Sequence, residues 1–249
     1  MTGRRGKILL IVAAFLVAGA AGAYIAYDQF LRGDNVAPIG LPSASLGGTA
    51  APGAPSGSAG PSATPLAAAQ LPGSWSVADG SLAGYRVREQ LASLSAESDA
   101  VGRTSAITGG ATLASAGDSV SVTAASFEAD LTTLQSDQDR RDQRIRQIGL
   151  ESARFPTATF VLAEPVAVPA AALDGAAVDV KLVGDLTLHG VTKRVEIPAR
   201  AQLSADRIDV AGALTFPFAD FGIQPPNIGG FVTVKPDATL EFLLVLERA

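Results

Sequence analysis

The stretch Val178-Asp-Val-Lys-Leu-Val-Gly-Asp-Leu-Thr-Leu-His-Gly-Val-Thr-Lys-Arg-Val-Glu-Ile-Pro-Ala-Arg-Ala-Gln-Leu203 decides the fold class. Val178, Val180, Leu182, Leu186 and Leu188 share one parity, against Asp179, Lys181, Asp185, Thr187 and His189. Val195, Ile197, Ala199, Ala201 and Leu203 then share one face, against Arg194, Glu196, Arg200 and Gln202. Successive strand side chains point to opposite faces, so the pattern predicts two strands with one apolar and one polar face. His189-Gly190 falls where the chain must reverse, and glycine supplies that backbone at little steric cost. A single apolar face implies antiparallel strands around a hydrophobic interior.

Similar signals recur on both sides of this hairpin. Strands are predicted at Tyr85–Arg88, Val101–Ile107, Gly110–Leu113, Ser119–Ala124, Thr157–Leu162, Arg207–Phe216, Phe231–Lys235 and Thr239–Glu247. The one strong helical stretch is Ser136–Leu150, with Ser136 as N-cap and Ile145 and Ile148 spaced to dock together. The expected architecture is all-β, an extended antiparallel barrel with one inserted α-helix. An eight-stranded barrel can be filled by its own side chains or can hold a ligand. Strand parity does not separate those two cases.

Ahead of the barrel the composition changes. Residues 1–7 carry Arg4, Arg5 and Lys7 and read as a cytoplasmic basic tail. Residues 8–27 are uncharged, close to the ~20 needed to cross a bilayer as a helix. The basic flank favours a single-pass anchor with the C-terminal domain outside the cytoplasm. A cleaved signal peptide, processed near Ala18-Gly19-Ala20, is the competing reading. Residues 28–70 are dominated by Gly, Pro, Ser and Ala and read as a flexible linker, because they offer little to bury against the entropy of ordering. Residues 71–249 form the domain.

Composition excludes several function classes. The chain has no cysteine, which removes disulfides, thiol catalysis and thiolate metal sites. From Pro72 to Ala249 there are 15 basic and 22 acidic side chains, net −7, a poor match to nucleic acid. His189 is the sole histidine, so no multi-histidine metal site can form. It reads either as a turn residue bonding locally or as part of a ligand site. Arg140, Arg141, Asp142, Arg144 and Arg146 make a dense charge run. That run is either a solvated face with local pairs such as Asp142 with Arg146, or a polar mouth where Arg141, Asp142 and Arg144 meet a head group. Asp220-Phe221-Gly222 matches a kinase triplet, but no His-Arg-Asp loop accompanies it, and Asp220 reads as a loop pin. Phe127, Phe160, Phe216, Phe218, Phe221, Phe231 and Phe242 are the distinctive apolar mass, either plain core or lumen lining. No paired-carboxylate or nucleophile signal is present, so the expected protein is not an enzyme.

Three ordered motifs also resemble the YceI family of lipocalin-like proteins. They are Leu186-Thr-Leu-His-Gly-Val-Thr-Lys193; Arg141-Asp142 followed by Arg154-Phe-Pro-Thr-Ala-Thr-Phe160; and Asp220-Phe-Gly-Ile223 with Leu240-Glu-Phe242. Trp75, Val77, Asp79 and Ser81 resemble the start of the family domain. The family often has histidine where Arg144 stands here. The resemblance implies a lipocalin-like barrel that sequesters an isoprenoid or similar long-chain lipid, with no cofactor beyond the bound lipid. The implied partners are that lipid and, through the anchor, the membrane; a homodimer stays open. A filled, non-catalytic envelope scaffold is the alternative function.

Overall fold

The computed structural model describes residues 36–42, 68–91, 97–117, 119–204, 206–225 and 232–249. The basic tail, the apolar run 8–27, most of the expected linker and Phe231 lie outside the described residues. Among the described residues no helix is long and apolar enough to cross a membrane.

The strands are β1 (Gly73–Val77), β2 (Leu82–Leu91), β3 (Glu97–Thr104), β4 (Ile107–Ala116), β5 (Ser119–Asp130), β6 (Gln135–Ser136), β7 (Thr157–Leu162), β8 (Val166–Ala167), β9 (Val178–Leu188), β10 (Val191–Ser204), β11 (Arg207–Pro217) and β12 (Val232–Arg248). All pairings are antiparallel, and the path β1-β4-β5-β7-β9-β10-β11-β12 closes through a β1–β12 ladder into an eight-stranded barrel. β12 is the pivot. Trp75 to Val77 pair with its C-terminal end, while β2 pairs with the rest of it and carries β3 and β6 outward. The barrel is therefore tightly closed at one end and flared at the other.

The predicted hairpin is β9–β10, with Leu188 opposite Val191. His189 and Gly190 both have positive φ (51° and 74°), the two-residue turn whose twist matches antiparallel strands. The apolar parity of both strands faces inward, with Leu186, Leu188, Ile197 and Leu203 buried.

Three expectations need correction. The described part of the expected strand Phe231–Lys235, from Val232, belongs with Thr239–Glu247 to one strand, whose register shifts between Val234 and Ala238 around Pro236, a residue without a ladder donor. The helix is shorter than Ser136–Leu150: α1 spans Asp139–Arg144 and passes into a π-helical turn at Ile145–Gly149. Gln138, not Ser136, is its N-cap, and Ile148 is 55% exposed instead of docking with Ile145. A second short helix, α2 (Ala170–Leu173), packs with fully buried Ala172 into the closed end.

Within the stretch expected to be a free linker, residues 36–42 lie on the outer face of the barrel. Ile39 and Leu41 pack against Ala211, Leu243 and Val245, which point away from the lumen. Beside them Arg86 Nη2 donates to the Val36 carbonyl (2.9 Å), Arg103 donates to the Ala37 carbonyl, and the Ile39 amide donates to Glu241 Oε2 (3.2 Å). Glu241, itself bound by Arg86 at 2.6 Å, is buried beneath this strap. The few apolar residues of the segment meet an outward apolar patch of β11–β12, which offsets ordering that composition alone would not.

Candidate functional site

Inward-facing side chains divide the lumen into two cavities. The larger, about 250 Å³, lies in the flared half between β2, β3, β12 and the α1 segment. Val87, Leu131, Leu134, Leu150, Leu188, Phe216, Phe218 and Leu240 line it, with Tyr85, Glu89, Arg140, Arg141 and Arg144 at its polar side. The smaller, about 80 Å³, lies in the closed half, lined by Phe127, Phe160, Leu162, Val180, Leu244 and others, all apolar. Phe160, Val195, Leu214 and Leu240 pack against the core clusters of both halves and form a waist between them.

Two glycines shape this interior. A Cβ on Gly184 would stand 2.4 Å from the Phe160 ring, and one on Gly212 would stand 2.6 Å from the Phe242 ring. Each ring occupies the space over the neighbouring strand's glycine where a side chain would otherwise project.

The polar side of the larger cavity is built on α1 and β2. Asp142 is buried and accepts from the Ser136 amide (3.0 Å) and Oγ (2.7 Å), which ties α1 to β6. Arg141 then reaches inward, bridging Asp137 and Glu89, the latter at 3.5 Å. Burial pushes the Glu89 carboxyl above its ordinary 4.5, and Arg141 opposes the shift. Burial raises the Tyr85 phenol too. Its hydroxyl has no hydrogen-bond partner among the described residues, which leaves the desolvation of that group uncompensated.

The structure gathers only some of the residues singled out by sequence. Phe216, Phe218, Arg141 and Arg144 line the larger cavity; Phe127 and Phe160 line the smaller. Phe221 and Phe242 are buried core side chains in neither lining, Phe221 edge-on to Phe216 at 4.9 Å. Asp142 works one layer back as the Ser136 partner, not as the surface partner of Arg146. His189 lies outside both linings, and its bonds are not local: Nδ1 meets the Phe221 carbonyl at 3.2 Å and Nε2 meets Glu151 at 2.8 Å, with the ring 4.4 Å from Phe155. It joins three segments at the flared end. Asp220 pins its loop through Lys193 Nζ at 2.7 Å.

Tyr85 and Glu89 were missed. A signal existed: Ala83, Tyr85, Val87 and Glu89 share one parity on β2, and an acid on an apolar parity marks a polar spot in the lumen. Among the described residues no cluster of His, Cys, Asp and Glu could hold a metal ion.

Comparisons with known proteins agree with this architecture. A family model described as YceI-like domain matches residues 79–246. A UPF0312 protein of Vibrio cholerae serotype O1 is 30% identical over 113 residues, 43% of this chain and 56% of that protein. The chain thus matches a little over half the length of that curated relative. Among solved structures, a polyisoprenoid binding domain from Saccharophagus degradans, implicated in plant cell wall breakdown, superposes with a TM-score of 0.53 at 23% identity. That match covers 70% of this chain and 98% of the other, and it shows the fold. Burkholderia cenocepacia BcnA is more distant, at TM-score 0.48 and 16% identity over 66% of this chain and 95% of its own. With its hairpin, its closed and flared barrel and its apolar lumen in place, this chain belongs to the YceI family.

Proposed function

We propose that the protein is a membrane-anchored, extracytoplasmic carrier that sequesters an isoprenoid or similar long-chain amphiphile in the barrel, making and breaking no bond. The observation that carries this reading is the larger cavity, lined by apolar side chains with its polar groups gathered at one side. An apolar chain gains ~0.8 kcal/mol per buried methylene, so ten offer ~8 kcal/mol before the cost of immobilising the ligand. A ligand oxygen beside Tyr85 would accept the hydrogen bond that its hydroxyl lacks. Parting of the Phe160 waist would let a longer tail enter the smaller cavity. The Saccharophagus degradans domain, described as polyisoprenoid binding, supports the same ligand class. The basic flank and apolar run at residues 1–27 support the anchor and the location.

The rival reading is a filled scaffold, favoured by the closed waist. Mass spectrometry of organic extracts from purified protein decides between them. A carrier yields a long-chain lipid at near-stoichiometric amounts. Repeated preparations with no lipid, together with no uptake of added polyprenol, would sink the carrier.

A further inference from the structure

The strap has a direction. Its first carbonyls, at Val36 and Ala37, sit on Arg86 and Arg103, and the Ile39 amide meets Glu241. Ile39 and Leu41 rest on the patch formed by Ala211, Leu243 and Val245. Along β12, Glu241 stands nearer the flared end and Val245 nearer the closed end, where Trp75 to Val77 pair with Arg248 to Leu246. The strap therefore runs from the flared end toward the closed end, and its first residue, Val36, is the one nearest the cavity mouth.

Only residues 28–35 separate the strap from the apolar run 8–27. Eight residues span at most ~29 Å when fully extended. The apolar run thus ends within ~29 Å of Val36, the strap residue nearest the mouth. If all of residues 28–70 were free, the chain would instead have an r.m.s. span of ~36 Å and no preferred orientation. A second feature marks the same end. Ile148 on the π-helical turn is 55% exposed, one of two large exposed hydrophobic side chains among the described residues. Exposed Arg154 follows it, with its guanidinium 4.9 Å over Phe155. An exposed aliphatic side chain and an exposed guanidinium six positions apart in the chain suit the interface of a bilayer, one entering the acyl boundary and the other meeting phosphate.

We infer that residues 36–42 are an orienting strap that holds the cavity mouth against the bilayer, with Ile148 and Arg154 in the contact surface. The inference rests on the anchored-carrier reading. A lipid could then pass between membrane and lumen without crossing water. Residues 43–67 would contribute nothing to the tether, because both their flanks are docked on the barrel.

The test uses the full chain, which has no native cysteine, in vesicles of phosphatidylethanolamine and phosphatidylglycerol with brominated acyl chains. A fluorophore is placed on Ile148→Cys or, at the opposite end of the β10–β11 hairpin, on Ser204→Cys. The label at 148 should be quenched at least threefold more than that at 204. Inserting twelve Gly/Ser residues between Asn35 and Val36 should abolish most of that difference, whereas the same insertion after Gly60 should leave it intact. The combined Ile39→Asp and Leu41→Asp change should act like the first insertion, with blue emission from buried Trp75 reporting an intact barrel. Equal quenching at the two sites, equal effects of the two insertions, or failure of the chain to float with the vesicles would overturn the inference. Lipid content, measured on the same samples, reads the carrier hypothesis separately. Mouth-directed quenching with no extractable lipid would keep the orientation and reject the cargo.

Discussion

The closed and flared halves of this barrel are written with the same alternating pattern, yet they do different things. In the closed half, Trp75, Leu203, Phe242, Leu244 and Leu246 meet across a narrow ring sealed by the β1–β12 ladder and by Ala172. Little space remains, about 80 Å³. In the flared half β12 turns to pair with β2, the wall widens, and about 250 Å³ stays open beside buried Tyr85 and Glu89. Hydrophobic patterning places side chains inward in both halves. Strand pairing sets how far apart the walls stand, and so whether those side chains fill the space or merely line it.

The largest expected effect tests the filling of the closed half. Phe242→Ala should cost ~3–5 kcal/mol in urea unfolding, because a ring packed over Gly212 leaves a void. Phe218→Ala, beside a cavity already open, should cost clearly less. Equal losses would erase the distinction between the halves.

Next in size, Gly212→Ala should cost ~1–3 kcal/mol through its clash with the Phe242 ring, and Phe242→Leu in the same chain should relieve part of it. Additive losses in the double variant would show that the ring does not rest on the glycine.

The pH dependence of stability sharpens the comparison on the flared side. The folded-state pKa of Glu89 is raised by burial, so the folded protein holds this proton more tightly than the unfolded chain. Its contribution is fully present below pH 4.5, the ordinary value, and is lost as pH rises through the higher folded value. Glu89→Gln should therefore flatten the fall in Tm on this alkaline side. An unchanged slope would show that Arg141 fully compensates the buried carboxylate.

The smallest expected effect is that of Ile148→Ser, within ~0.5 kcal/mol in unfolding, since the side chain is already in water. A loss above ~1 kcal/mol would mean that this residue packs on the barrel and would remove it from the proposed membrane contact.

The sequence by itself determined the all-β class, the β9–β10 hairpin and its turn, and the inward parity of most strands, because these depend on contacts between residues near one another in the chain. It singled out Arg141 and Arg144 in the charge run but left a solvated face and a polar mouth as alternative readings of the pattern, and only the folded chain sets both beside the larger cavity. Other features arise only when distant segments meet. The pairing of β12 with both β1 and β2 decides where the lumen is open. Distant partners give His189 its bonds to Glu151 and Phe221, and they bury Glu241 on a face that alternation marks as exposed. The strap is the plainest case: residues 36–42 have the composition of a linker, and only the outward patch of Ala211, Leu243 and Val245 gives their two large aliphatic side chains something to cover. Burial is a property of the pair of surfaces, and a one-dimensional pattern records only one of them.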